Sequence, residues 1–171
     1  MLHVWPGSAQ AGERKRVASI RGMSVRLVEL TADNVDAACL IEVKPEQQKF
    51  VGTVANSLAQ AYVHSGTAWP RLILDDDRLV GFVMGNFDPE SEIDAFRAGI
   101  WRLNIAADEQ GRGYGRFAVD AIAEEARRRG LKRITVLWVR GEGSPEGFYL
   151  RMGFTPTGEV IGGETVGELF L

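Results

Sequence analysis

The fold is decided by the stretch Gly99-Ile100-Trp101-Arg102-Leu103-Asn104-Ile105-Ala106-Ala107-Asp108-Glu109-Gln110-Gly111-Arg112-Gly113-Tyr114-Gly115-Arg116. An apolar strand leads into its glycine-rich turn, and an amphipathic helix predicted from Arg116 to Arg129 leads out of it. The first N–H groups of such a helix lack intrahelical partners, and the peptide dipoles add partial positive charge there. Glycines let the backbone come close to an anion. The stretch therefore predicts a phosphate-binding turn.

The spacing within the turn narrows the choice of phosphate ligand. Gly111 and Gly113 begin the dinucleotide fingerprint G-x-G-x-x-G, but Arg116 stands where its third glycine is required. The turn also lacks the Gly-Lys-Ser/Thr of a Walker A motif. It does match Q/R-x-x-G-x-G/A, from Gln110 to Gly115. The alternative is an ordinary tight turn between a strand and a helix.

Composition bounds the class of protein. The chain has 171 residues, the size of one domain, and no apolar run approaches the roughly 18 residues of a membrane span. One cysteine and two histidines exclude a structural zinc site, and we expect no metal. Residues 1–22 carry a net charge of +3 and the remainder −6, and an acidic body argues against a nucleic-acid partner. We expect residues 1–22 to be a loose extension and residues 23–171 to be the domain.

The apolar patterns give the order of elements in that domain. They predict strands at 24–30, 70–74, 79–87, 99–105, 134–139, 154–160 and 164–171, and helices at 32–42, 45–65, 116–129 and 145–152. Cys39 falls on an apolar stripe and is expected to be buried. The run Asp75-Asp76-Asp77 is interpreted as a solvated turn rather than a metal site.

A second motif, Phe148-Tyr149-Leu150-Arg151-Met152-Gly153-Phe154, follows downstream. Together with the Gln110–Gly115 turn it resembles the GNAT superfamily of acyl-CoA-dependent N-acyltransferases. The resemblance covers about residues 23–171. It implies the α/β GNAT acyl-CoA N-acyltransferase fold, a mixed central sheet with the order β-α-α-β-β-β-α-β-α-β-β. It also implies acetyl-CoA as cosubstrate.

The resemblance assigns roles residue by residue. Tyr149 takes the position of the general acid that serves the departing thiolate, although an aromatic packing residue is the alternative. The acetyl-CoA site falls on the strand end and the turn, at Leu103, Asn104, Ile105, Gln110, Gly111, Arg112, Gly113, Tyr114, Gly115 and Arg116. Many relatives carry a glutamate on the preceding strand, where this chain has Trp101 and Arg102. A water chain, or an acid from Glu42, Glu46 or the 88–94 loop, is then the candidate base.

The segments 43–51 and 56–62 resemble bacterial spermidine/spermine (diamine) acetyltransferases. That resemblance implies a polyamine acceptor, with Glu42, Glu46 and Trp101 on the substrate side. The alternatives are another small amine, an antibiotic or a protein amine, and, in a different class, a non-catalytic acyl-CoA-binding regulatory module. We expect direct attack of the amine in a ternary complex, a small-molecule substrate, a cytoplasmic location and, from relatives, a homodimer.

Overall fold

The computed structural model describes residues 17–20 and 23–171, with side chains from residue 24 onward. The strands are β1 (Val17–Ile20), β2 (Met23–Val28), β3 (Ala68–Asp75), β4 (Arg78–Phe87), β5 (Ala98–Ile105), β6 (Arg133–Trp138), β7 (Thr155–Ile161) and β8 (Glu164–Phe170). The α-helices are α1 (Val35–Cys39), α2 (Val54–Val63), α3 (Tyr114–Arg128) and α4 (Glu146–Arg151). From β2 onward this is the predicted order of elements, which is confirmed.

The strands form one eight-stranded sheet in the order β1-β2-β3-β4-β5-β6-β8-β7. Every neighbouring pair is antiparallel except β5 and β6, which are joined through α3 and run parallel. That parallel pairing is confined to Gly99 with Thr135 and Ile100 with Val136. Beyond these two pairs the strands separate, so the sheet opens at its middle.

Helices cover both faces of the sheet. The buried side chains of α3 recur at helical spacing, as Ala118, Ile122 and Ala126 do, and they join the larger core cluster. A smaller cluster on the other face joins α1 and α2 to β3 and β4, with Ala38, Val54 and Phe82 fully buried. The open middle of the sheet is therefore supported from both sides.

The first two helices differ from the predicted ones. The helix α1 spans five residues rather than the predicted 32–42. Its buried residue is Ala38, and Cys39 is exposed, so the prediction that Cys39 lies in the core is wrong. The predicted helix at 45–65 is divided into a 3-10 helix, Pro45–Phe50, and α2. The division lies at Thr53, whose extended backbone lets its hydroxyl accept the N–H of Asn56 at 3.2 Å and begin a new helix.

The sheet extends upstream of the predicted domain start at residue 23. Residues Val17–Ile20 pair antiparallel with β2. The rest of the predicted extension, residues 1–16, 21 and 22, lies outside the described residues.

Candidate active site

The separation of β5 and β6 opens a cleft of about 1460 Å³. One wall is the β5 edge at Trp101, Leu103 and Ile105, and the opposite wall includes Leu137 and Val139. Because β5 pairs with β4 on its other side, every second residue beyond Ile100 presents an N–H and a C=O to the cleft instead of to a strand. An extended chain with amide groups can bind such an edge as an added strand.

The glycine-rich turn closes one end of this cleft. Gly111 and Gly113 both have positive φ, at 79° and 97°, and Gly113 is the N-cap residue of α3. Side chains are disfavoured at such angles, so glycine lets the chain turn here without strain. The first amides of a 15-residue helix thus face the cleft, and the Arg116 side chain lines it beside them. This geometry suits a phosphate group.

A buried polar network fixes the turn from behind. Tyr114, which is 1% exposed, donates its hydroxyl proton to Asp75 Oδ2 at 2.7 Å. Arg78 joins the same Asp75 oxygen at 3.0 Å and Glu109 Oε1 at 2.8 Å. The interpretation of Asp75 as part of a solvated turn is therefore wrong, since its carboxylate is buried and accepts two hydrogen bonds. Burial and the hydrogen bond to Asp75 raise the pKa of the Tyr114 phenol.

The other residues of the predicted acetyl-CoA site fall into two groups, those that line the cleft and those that do not. Gln110 lines the cleft and donates to Gln47 Oε1 at 2.7 Å, which ties the turn to the 3-10 helix. Arg112 does not line the cleft and pairs instead with Glu109 at 3.1 Å. The Asn104 side chain turns away to donate to the Gly52 carbonyl at 3.1 Å. Asn104 does not line the cleft, and it pairs with Phe82 of β4 instead.

Tyr149 lies in the cleft on α4. Its ring stacks on Trp138 at 5.8 Å and meets Phe148 and Phe154 edge to face. None of the described residues hydrogen-bonds its hydroxyl group. Burial raises the pKa of the Tyr149 phenol well above its usual range, so the group stays protonated at neutral pH. The aromatic cage thus holds a neutral O–H donor beside the cleft.

The opposite end of the cleft is bounded by the segment before α2 and by a bulge in β5. Met84 pairs with Arg102 and Gly85 with Ile100, so Trp101 is an extra residue on β5. The bulge turns Trp101 and Arg102 to the same side. Trp101 meets the His64 ring edge to face at 5.5 Å, and Arg102 donates to Gln60 at 3.1 Å.

The two glutamates predicted on the substrate side do not reach this cleft. Glu42 lines a separate small depression together with Ala107 and Asp108, and Glu46 is exposed on the 3-10 helix. The acids that line the cleft are Asp88, Glu109 and Glu164, and Glu109 belongs to the network behind the turn. Sequence reasoning missed His64 and Glu164, which only the packing of α2 and the β7–β8 turn brings to the cleft. Asp88 fell within the predicted acidic loop.

Clusters of metal ligands and membrane-spanning helices are both absent from the described residues. No group of three or more His, Cys, Asp or Glu side chains is arranged to hold a metal ion there. In that same part of the chain, no helix is long and apolar enough to cross a membrane.

Comparison with known proteins decides the family. Residues 33–154 match the model of the acetyltransferase (GNAT) family. The chain belongs to this family. It is an acetyltransferase, and its cosubstrate is acetyl-CoA. No curated protein matches the chain.

Solved structures of GNAT proteins share its fold. An acetyltransferase from Thermus thermophilus is 20% identical, with a TM-score of 0.68 over 86% of this chain and 97% of its own. The GNAT domain of S. lividans PAT is 15% identical, with a TM-score of 0.73 over 92% and 97%. The PaiA N-acetyltransferase of Thermoplasma acidophilum, solved with coenzyme A, is 14% identical, with a TM-score of 0.61 over 87% and 100%.

Two features of the cleft in this GNAT protein, the β5 edge and the glycine-rich turn, fit two parts of acetyl-CoA. The β5 edge offers backbone groups outside any strand pairing for the amide-bearing pantetheine arm, although the Trp101 and Ile105 carbonyls already accept hydrogen bonds from the Arg102 and Gln110 side chains. The Gly111–Gly115 turn offers helix N-terminal amides for the pyrophosphate. The thioester would then lie between the β5 edge and Tyr149. The residues assigned to the cosubstrate from the sequence remain predictions at the level of individual contacts.

Proposed function

We propose that this protein transfers an acetyl group from acetyl-CoA to an amine by direct attack within a ternary complex. The observation that carries the proposal is the cleft between β5 and β6, where an unpaired strand edge, a phosphate-binding turn and the Tyr149 hydroxyl converge. The amine nitrogen bonds to the thioester carbon, the carbon–sulfur bond then breaks, and CoA leaves as thiol.

The proposed role of Tyr149 follows from its surroundings. As the C–S bond breaks, negative charge develops on sulfur, and a neutral phenol donates a hydrogen bond to it. Because burial raises its pKa, the phenol stays protonated and acts as a hydrogen-bond donor to the thiolate, which then takes up a proton from water. Backbone N–H groups of Leu103 or Ile105 that face the cleft stabilise the carbonyl oxygen in the transition state.

The amine must lose a proton before or during the attack. Trp101 and Arg102 stand where many relatives carry a glutamate, so this chain needs another acceptor for that proton. His64, Asp88 and Glu164 line the cleft, and we propose that one of them accepts the proton directly or through water.

The test is thiol release from acetyl-CoA by the full chain against a panel of amines, for the wild type and for Tyr149→Phe. We expect a loss in kcat of about 100-fold or more in Tyr149→Phe, with the KM for acetyl-CoA unchanged. Tyr62→Phe is the matched control, because Tyr62 is 85% exposed and does not line the cleft. Full activity of Tyr149→Phe would refute the role of the phenol.

The same panel tests the finer prediction that the acceptor is a polyamine. Glu42 and Glu46 lie outside the cleft, so a polyamine would have to be held by Asp88 and Glu164. Spermidine and spermine therefore belong in the panel, beside small amines, antibiotics and peptides with a free N-terminus. Binding of acetyl-CoA without turnover of any of these would favour the regulatory alternative.

The cytoplasmic location and the homodimer stay predictions. Fractionation of cells that express the full chain tests the first, and sedimentation of the purified protein tests the second.

A further inference from the structure

Arg102 is a half-buried cation that lines the cleft at the end away from the glycine-rich turn, which we call the acceptor end. One guanidinium nitrogen donates to the Trp101 carbonyl at 2.8 Å and another to Gln60 Oε1 at 3.1 Å. Its Nε is buried and finds no acceptor among the described residues. A Cβ added at Gly52 would lie 3.4 Å from that Nε, so the guanidinium is held against the segment before α2.

The charge of this guanidinium lacks a counter-ion. No described carboxylate lies within ion-pair distance of Arg102, whereas Arg78 and Arg133 each join two. Burial lowers the pKa of Arg102, and the field of Glu164 raises it without a direct contact. A guanidinium stays protonated in proteins, and a buried charge without a partner is costly. Both acceptors that Arg102 has are neutral.

A purely structural role would not require the positive charge of Arg102. The ties to Gln60 and to the Trp101 carbonyl use neutral oxygens, which a neutral amide donor could serve as well. Arg102 instead places a positive charge in the cavity, and Lys49 also lines the cleft. The acids Asp88 and Glu164 line the cleft as well, and the charge of Glu164 acts on Arg102. The acceptor end therefore presents both signs of charge.

From this arrangement we infer that the acceptor is an amine that also carries a carboxylate, which binds Arg102 while its ammonium group faces Asp88 and Glu164. The inference rests on the proposed acetyl transfer and names the class of its substrate. A bidentate carboxylate would give the Arg102 guanidinium the counter-ion that the described residues do not supply. The amine would then be directed toward the thioester end of the cleft.

The experiment compares pairs of amines that differ only in the carboxylate. Glycine, β-alanine, γ-aminobutyrate and L-glutamate are each assayed beside the corresponding carboxamide, with spermidine and spermine alongside. We expect kcat/KM to favour the carboxylate of at least one pair by roughly 10- to 100-fold. In Arg102→Gln this preference falls to about one, Arg102→Lys keeps part of it, and the KM for acetyl-CoA does not change.

Gln60→Leu is the matched control, because it removes the tie to α2 and leaves the Arg102 charge, so the preference for the carboxylate persists. Wild-type turnover that favours the carboxamides or the polyamines would overturn the inference and leave the acetyltransferase intact. An equal preference in wild type and Arg102→Gln would also overturn it.

If no amine is turned over, the proposed function fails, and calorimetry of the same pairs with CoA present decides the inference separately. Binding that requires both the carboxylate and Arg102 would support it. Equal binding of acid and amide, or none, would refute it.

Discussion

Replacing Tyr114 by phenylalanine tests the network that holds the phosphate-binding turn. The ring keeps its packing, and only the hydroxyl group that donates to Asp75 Oδ2 at 2.7 Å is lost. Both residues are buried, at 1% and 6% exposure, and Asp75 Oδ1 already has no partner among the described residues. The change therefore leaves Arg78 as the remaining described partner of a buried carboxylate.

A hydrogen bond to a charged group contributes about 1.5–3 kcal/mol to the free energy of unfolding. We expect Tyr114→Phe to lower that free energy by about 2 kcal/mol, and Tm by roughly 4–8 °C for a domain of this size. Since Tyr114 directly follows Gly113, the turn also loosens, and the KM for acetyl-CoA rises.

The assay is urea unfolding of the wild type, Tyr114→Phe, Asp75→Asn and the double variant. In the double variant the cost of removing the hydroxyl should shrink, because the carboxylate it served is gone. A loss below about 0.5 kcal/mol in Tyr114→Phe, or strict additivity in the double variant, would refute the reasoning.

Three further predictions concern the turn, the cage around Tyr149 and alkaline pH. Gly111→Ala and Gly130→Ala each place a side chain at positive φ, 79° and 77°, with nothing within 4 Å, so each should cost about 1–2 kcal/mol of unfolding free energy. Only Gly111→Ala should raise the KM for acetyl-CoA, and equal KM values would contradict a ligand-binding turn. Gly167→Ala places a Cβ 2.2 Å from the Trp138 ring and should lower both Tm and kcat, whereas Gly66→Ala, in open space, changes neither. Because the folded-state pKa of Tyr114 is raised, its stabilising contribution is complete below the unfolded pKa of about 10 and is lost as pH rises through the folded value. The stability gap between wild type and Tyr114→Phe should therefore narrow as pH rises above about 10 in urea titrations, and a constant gap would count against the shift.

Sequence patterns predict those helices, strands and turns whose signals lie within a single short segment. The strand, glycine turn and helix from Gly99 onward were predictable because the glycines and the helical period lie within one short segment. Tyr149 was placed by a motif only a few residues long, and the structure brings it to the cleft. The break between the 3-10 helix and α2 was missed, since helical spacing continues across Thr53 while its backbone is extended.

Contacts between distant segments could not be predicted in this way. Asp75 reaches Tyr114 across 39 positions, and nothing around Asp75 distinguishes it from the exposed acids that follow it. Arg102 depends on a bulge, because one extra residue in a strand reverses which face the following side chains occupy. The resemblance puts Glu42 and Glu46 on the substrate side, but Glu42 lines a separate depression and Glu46 is exposed on the 3-10 helix.

A sheet of eight strands ordinarily has two edges, but within the described residues this sheet has four. Besides β1 and β7 at its ends, β5 and β6 each present an unpaired edge beyond their two shared residue pairs. Such edges are where extended peptides add and where proteins aggregate. In the proposed binding mode acetyl-CoA covers the β5 edge, so the cosubstrate also protects the chain from unwanted pairing. We therefore expect the protein to aggregate less readily when acetyl-CoA is bound than when the cleft is empty.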